Sequence, residues 1–329
     1  MNKIYALKYS VLTGGLVAVS ELVKKVASKS HKKLVVITAA FISTMMMASP
    51  GSANQLYMNN VWSRDYFDLA QNKGGFKAGA ENVSIDLKDG TKFVFPTAIP
   101  DFSPTDATGA NTSIGGAYSV TAKHVDPNQS VISKQTWGQT NYRYIAREVN
   151  NSDFSVSRLH KFVVETTGLT EHADVNLSLE DALERYGIDT ENGRQIIGFR
   201  AGAGQLILNG ITQTTIQNTP ETLTASLFTV NWNSKTANNN YTTFRNDSTN
   251  GDSGSGYYIW DNKLQKWVIL GTHYGLANNN NTGLAKYNPY DEKLVESLKK
   301  NTTIIFILME TLLLLMKIAI LHPIWITSH

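Results

Sequence analysis

Gly251-Asp252-Ser253-Gly254-Ser255 is the stretch on which the reading of this chain turns. A serine between glycines sits on backbone free to take an unusual path, with amide hydrogens open to a developing oxyanion. Gly251 and Ser253 are the expected N–H donors. A serine hydroxyl is a weak nucleophile at neutral pH, so it needs a base within hydrogen-bond reach and a carboxylate to orient that base. Upstream, Thr121-Ala122-Lys123-His124 places a histidine directly after an apolar strand, and Asp153-Phe154-Ser155-Val156-Ser157-Arg158-Leu159 places a carboxylate at the start of an alternating one. A Gly-Asp-Ser-Gly string alone is as often a surface turn, and a lone histidine is more often structural. The joint order and spacing favour a catalytic set of His124, Asp153 and Ser253. His160 and His172 lack the small-residue setting of a base, and Asp126 is too near His124 in sequence to reach the imidazole from the correct side.

The order His, Asp, Ser is that of the chymotrypsin arrangement; subtilisin-like enzymes run Asp, His, Ser and α/β-hydrolases Ser, Asp, His. Separations of 29 and then 100 residues let His124 and Asp153 lie on one barrel and Ser253 on a second. The expected fold is all-β, a chymotrypsin-like double β-barrel with a few short helices. Asp247, six residues before the serine, stands where trypsin-like enzymes keep the acid that selects Arg or Lys. His273, Tyr274 and Gly275 stand where such enzymes run a strand beside the substrate, with Tyr274 as a pocket wall. Asp252 is a candidate to steady the active-site loop, with the amine of Asn54 as one partner.

The body, 54–300, has the composition for many short strands. Val83, Ile85 and Leu87 alternate before Asp89-Gly90, and Lys92 to Phe95 resumes the pattern, which reads as a hairpin. Further strands are expected at 117–121, 141–146, 154–164, 195–200, 205–208, 226–232, 256–260 and 267–272. Helices are expected at Leu179 to Tyr186 behind Ser178, at Asp291 to Lys300, and at Tyr66 to Gln71.

The charge balance, 30 basic against 27 acidic side chains, argues against nucleic acid as the main partner. Cysteine is absent, which removes disulfides, thiolate metal sites and cysteine nucleophiles. No His-x-x-x-His or clustered acidic pattern points to a metal, and no cofactor is expected. The first 53 residues read as an extended signal peptide. Lys24, Lys25, Lys29, Lys32 and Lys33 precede an apolar run from Leu34 to Ala48, and Gly51-Ser52-Ala53 supplies a small-residue cleavage site. The inner-membrane secretion machinery is therefore an expected partner.

The long prefix, including Thr13-Gly14-Gly15-Leu16-Val17-Ala18-Val19-Ser20-Glu21-Leu22, resembles the signal region of large autotransporters. With the three catalytic motifs and Gly271-Thr272-His273-Tyr274-Gly275, it makes the chain resemble the protease domains of the serine protease autotransporters of Enterobacteriaceae, relatives of the immunoglobulin A proteases. The resemblance implies two β-barrels with the site between them, secretion to the cell surface and host proteins as substrates. It also implies a β-helical stalk and an outer-membrane barrel after the protease, neither of which follows Lys300. Residues 301–329 are instead an apolar tail, Ile304 to Leu315 and Ile318 to Ile326. It reads as an out-of-frame or truncation product in preference to a membrane anchor. On that reading the chain stops in the periplasm, and the alternative to an active endopeptidase is a non-secreted fragment without activity.

Overall fold

The computed structural model describes residues 5–10, 15–20, 55–56, 60–125, 131–132, 141–202, 207–208, 211–212, 223–248, 251–278 and 281–321. The chain divides into two compact units, Met1–Pro50 and Gly51–His329. In the first, Tyr5–Ser10 pairs antiparallel with Gly15–Ser20. The basic and apolar part of the expected leader, 24–53, lies outside the described residues.

In the second unit, β1 (Thr112–Ser113), β2 (Tyr118–Ala122), β3 (Tyr144–Val149) and β4 (Phe154–Leu159) form an antiparallel sheet in the order β3-β4-β2-β1. Every residue of β4 is buried, because the strand is central and covered on both faces. The strand ends at Leu159, short of the expected Val164. Past His160 the chain turns outward, leaving Phe162 and Val164 exposed.

The later half is a closed six-stranded barrel. Its strands are β5 (Ile197–Gly202), β6 (Thr224–Asn231), β7 (Thr236–Asn238), β8 (Gly256–Asp261), β9 (Lys266–Asn278) and β10 (Asn281–Pro289), in the order β5-β6-β7-β10-β9-β8 and back to β5. The all-β expectation holds, with most strands within a few residues of their expected bounds. Strand β10 was not expected, because its Asn- and Thr-rich start reads as loop. Pairing with β9 on one side and β7 on the other satisfies its polar backbone all the same.

Short two-stranded ladders, among them the expected hairpin of Ser84–Asp86 with Lys92–Val94, and three helices complete the described fold: α1 (Ser63–Ala70), α2 (Leu179–Tyr186) and α3 (Glu292–Leu321). The Ser178 hydroxyl accepts from the Asp181 N–H at 3.1 Å, and Ala182 and Tyr186, four residues apart, face the core. Helix α3 begins where the amphipathic pattern does but runs on through the apolar tail to 30 residues. Its first turns bury Val295, Leu298 and Thr302, whereas Leu308, Met309 and Leu312 to Met316 are exposed.

One large core joins the sheet, α1 and the barrel. Phe95 packs on Phe244 and Phe199, with ring centroids 4.9 and 6.2 Å apart, and Phe102 meets Tyr258 at 5.3 Å. Val120, Phe154 and Val156 of the sheet belong to the same cluster as Phe199, Leu227 and Ile269 of the barrel. Full burial of each such side chain is worth about 1.5–3 kcal/mol, so this shared core holds the ends of β2 and β4 against the barrel.

Candidate active site

Strand β2 ends at Ala122 and a tight turn, Val125 N–H to Ala122 carbonyl at 3.2 Å, presents His124. Asp153 leads into β4 from a left-handed backbone with φ +73°, a region that Asp and Asn tolerate best among residues with a side chain. Asn150 makes that turn affordable. Its side-chain oxygen accepts from the N–H groups of Ser152 and Phe154 at 3.0 and 2.9 Å, while its amide donates to Asp291 at 2.8 Å. The two turns are then tied together, since the Lys123 N–H donates to the Asp153 carbonyl at 2.7 Å.

The third side chain comes from the far half of the molecule. Gly251 and Gly254 flank Ser253 with φ of +103° and +88°. A Cβ on Gly254 would lie 2.1 Å from the Thr121 hydroxyl and 2.3 Å from the Ala110 carbonyl, so only glycine fits where this loop meets β2. The Gly254 N–H donates to the His273 carbonyl at 2.9 Å, and the His273 N–H to the Ser255 carbonyl at 2.8 Å, which pins the loop to β9.

The outcome is a continuous relay. His124 Nδ1 lies 2.6 Å from Asp153 Oδ2, His124 Nε2 lies 2.7 Å from Ser253 Oγ, and Asp153 Oδ1 accepts the His124 N–H at 2.9 Å. The carboxylate is 15% exposed and the imidazole 48%, so the acid is sheltered while the base faces the opening. Among the described residues, the N–H groups of Gly251 and Ser253 have no acceptor. An open hollow of about 550 Å³ adjoins the relay, lined by Lys123, His124, Asn151, Asp153 and Tyr274. Tyr274 meets His124 edge to face at 6.2 Å and is 44% exposed. Nothing lies within 4 Å of a Cβ placed on Gly275, so that stretch of β9 is open.

His273, expected on a strand beside the substrate, lies on β9 with its side chain turned inward. Its ring is buried, with Nδ1 2.7 Å from the Tyr257 hydroxyl, and burial, helped by Arg200 and His124, holds its pKa well below the ordinary 6.5. The ring therefore stays neutral at physiological pH and supports the loop from within the barrel. Asp247 pairs through its backbone with Gln55 in a two-residue ladder, and its side chain lies outside the described residues. Asn54 also lies outside them.

Asp252 is fully buried, and its carboxylate meets the Arg200 guanidinium at 3.2 Å. Arg200 also donates to Ser255 Oγ and Ser248 Oγ at 3.0 Å each, and Ser255 Oγ donates to the Asp252 carbonyl at 2.7 Å. This cluster braces both flanks of Ser253. The sequence held its signal, a lone charge in the apolar run Ile196-Ile197-Gly198-Phe199-Arg200-Ala201, since a charge on a buried strand needs a buried partner. Among the described residues no group of three His, Asp or Glu side chains is arranged to hold a metal.

The family model for immunoglobulin A1 protease matches residues 54–293. The chain belongs to the immunoglobulin A1 protease family. Among curated relatives it is 51% identical to serine protease EspC of Escherichia coli (EPEC), over 92% of this chain and 23% of that protein. To the serine protease pet autotransporter of Escherichia coli (EAEC) it is 46% identical, over 91% of this chain and 24% of that protein. The chain thus spans about a quarter of the length of these relatives. Among solved structures it is similar to the passenger domain of plasmid encoded toxin, an autotransporter enterotoxin from enteroaggregative Escherichia coli. That match has a TM-score of 0.66 and 42% identity, over 73% of this chain and 26% of that one. The Haemophilus influenzae Hap adhesin shares the fold at a TM-score of 0.55 and 20% identity.

Proposed function

We propose that this member of the immunoglobulin A1 protease family is an exported serine endopeptidase in which Ser253 is the nucleophile, His124 the general base and Asp153 the orienting acid. The relay of 2.6 and 2.7 Å through the His124 ring carries the reading. His124 Nε2 takes the Ser253 proton as Oγ attacks the peptide carbonyl, and Asp153 holds the tautomer with the proton on Nδ1 and stabilises the imidazolium. The N–H groups of Gly251 and Ser253 receive the oxyanion. As the intermediate collapses, His124 gives its proton to the leaving amine, and water then hydrolyses the acyl-enzyme by the same route.

The test is labelling of the purified chain with a serine-reactive fluorophosphonate. Wild type labels at a single site, Ser253→Ala does not, and prior unfolding abolishes the signal. A folded wild-type sample that stays unlabelled overturns the assignment.

The basic and apolar pattern of 24–48 supports export across the inner membrane into the periplasm. Protein substrates, host proteins among them, are in keeping with a site open along Tyr274 and Gly275. Asp247 is the proposed selector of Arg or Lys before the scissile bond. A peptide-library digest with cleavage after Arg and Lys bears this out; cleavage confined to aliphatic residues rejects it.

A further inference from the structure

Arg147, in the middle of β3, makes no ion pair with any described carboxylate. Its guanidinium is spent on neutral oxygens instead. Nε donates to Ser155 Oγ at 2.7 Å, and one Nη2 points at three carbonyls, those of Ala122, Lys123 and Val125, at 3.1, 2.9 and 3.2 Å. Those carbonyls bracket His124 on both sides. In the sheet, β3 borders β4, and β4 borders β2, so the side chain crosses one whole strand to reach the turn at the end of the next. With strands about 4.8 Å apart, that reach suits a long side chain ending in a planar fork, anchored midway at Ser155.

We infer that Arg147 is a positioning residue that sets the place of the His124 imidazole by clamping the three carbonyls of its turn from across β4. Asp153 holds the His124 ring and N–H from one side; Arg147 holds the carbonyls from the other. The relay needs both, because an imidazole displaced by about 1 Å from the nucleophile costs up to 10²-fold in rate. Lysine keeps the charge and most of the length, but its single ammonium cannot hold Ser155 and the three carbonyls in one plane.

The inference rests on the serine-protease reading, and the experiment separates the two. Wild type, Arg147→Lys, Arg147→Ala and Ser155→Ala are purified as the full chain. Thermal midpoints, fluorophosphonate labelling rates, and kcat and KM on a peptide the wild type cleaves are then measured. Expected for Arg147→Lys and Arg147→Ala are labelling and kcat lower by about 10- to 100-fold, with KM within about twofold of wild type. Added guanidinium ion at concentrations below those that unfold the protein restores part of the Arg147→Ala rate and none of the Arg147→Lys rate. Ser155→Ala, which removes only the anchor, shows a smaller fall in the same direction. It decides the matter if the Arg147 variants do not fold. Folded variants that label at the wild-type rate overturn the role of Arg147, as does a rate loss matched by a rise in KM. A wild type that does not label overturns the underlying reading instead.

Discussion

At the scale of single residues, the candidate site rests on charged side chains buried beneath it. Arg200 and Asp252 face one another with 2% and 0% of their side chains exposed, beneath the loop that carries Ser253. Removing one partner from such a pair strands a buried charge, at about 3–5 kcal/mol, whereas replacing both by neutral groups of similar size costs much less. Urea unfolding is therefore expected to show large losses for Arg200→Met and for Asp252→Asn, and a smaller loss for the double variant than the sum of the two. Strict additivity would mean that the pair is not coupled. The three candidate residues were legible because each sits in a local pattern, such as a serine among glycines or a carboxylate heading an alternating strand. The roles of Arg200 and Arg147 are not legible in this way, because a charge on a strand has no local sign of what it meets several strands away.

At the scale of elements, legibility followed the source of the hydrogen bonds. Helix α2 satisfies its own backbone and carries its cap in Ser178, so its bounds were those expected. Strand β9 was expected to stop at Thr272 and runs to Asn278; β10, polar at its start, was not expected at all. Both are strands because the barrel closes through them, and that closure is a non-local event invisible to periodicity. The turns before His124 and Asp153 are a similar case. Asn150 looks like an ordinary turn residue, and only its bonds to Ser152, Phe154 and Asp291 show that it links the acid's turn to the start of α3.

At the scale of the whole molecule, the body and the later turns of α3 follow different rules. The start of α3 belongs to the body: Thr302 Oγ1 lies 2.7 Å from the Tyr118 hydroxyl, and Asn301 donates to Glu148 at 3.1 Å. Beyond it, Leu312, Leu313, Leu314 and Leu315 are 54–58% exposed, and four consecutive positions span the full helix circumference. No described helix is long and apolar enough to cross a membrane. An apolar surface of that extent drives self-association in water. A chain ended after Thr303 is expected to elute as a monomer in gel filtration and to label at Ser253 as fast as the full chain, while the full chain elutes as larger species. Identical elution of the two would remove this role from the tail.

By itself the sequence determined a candidate set in chain order, His124, Asp153 and Ser253, each announced by its immediate neighbours, on a body patterned for short strands. Tertiary structure alone decided that the three meet, since a shared aromatic core brings the end of β2 and the start of β4 to the Ser253 loop. It also decided what braces them. Arg200 beneath the Ser253 loop and Arg147 behind the His124 turn bond to partners 48 to 55 and 8 to 25 residues away. The reason is that backbone periodicity is a local property, whereas a buried charge is satisfied only by whatever the finished fold sets within reach.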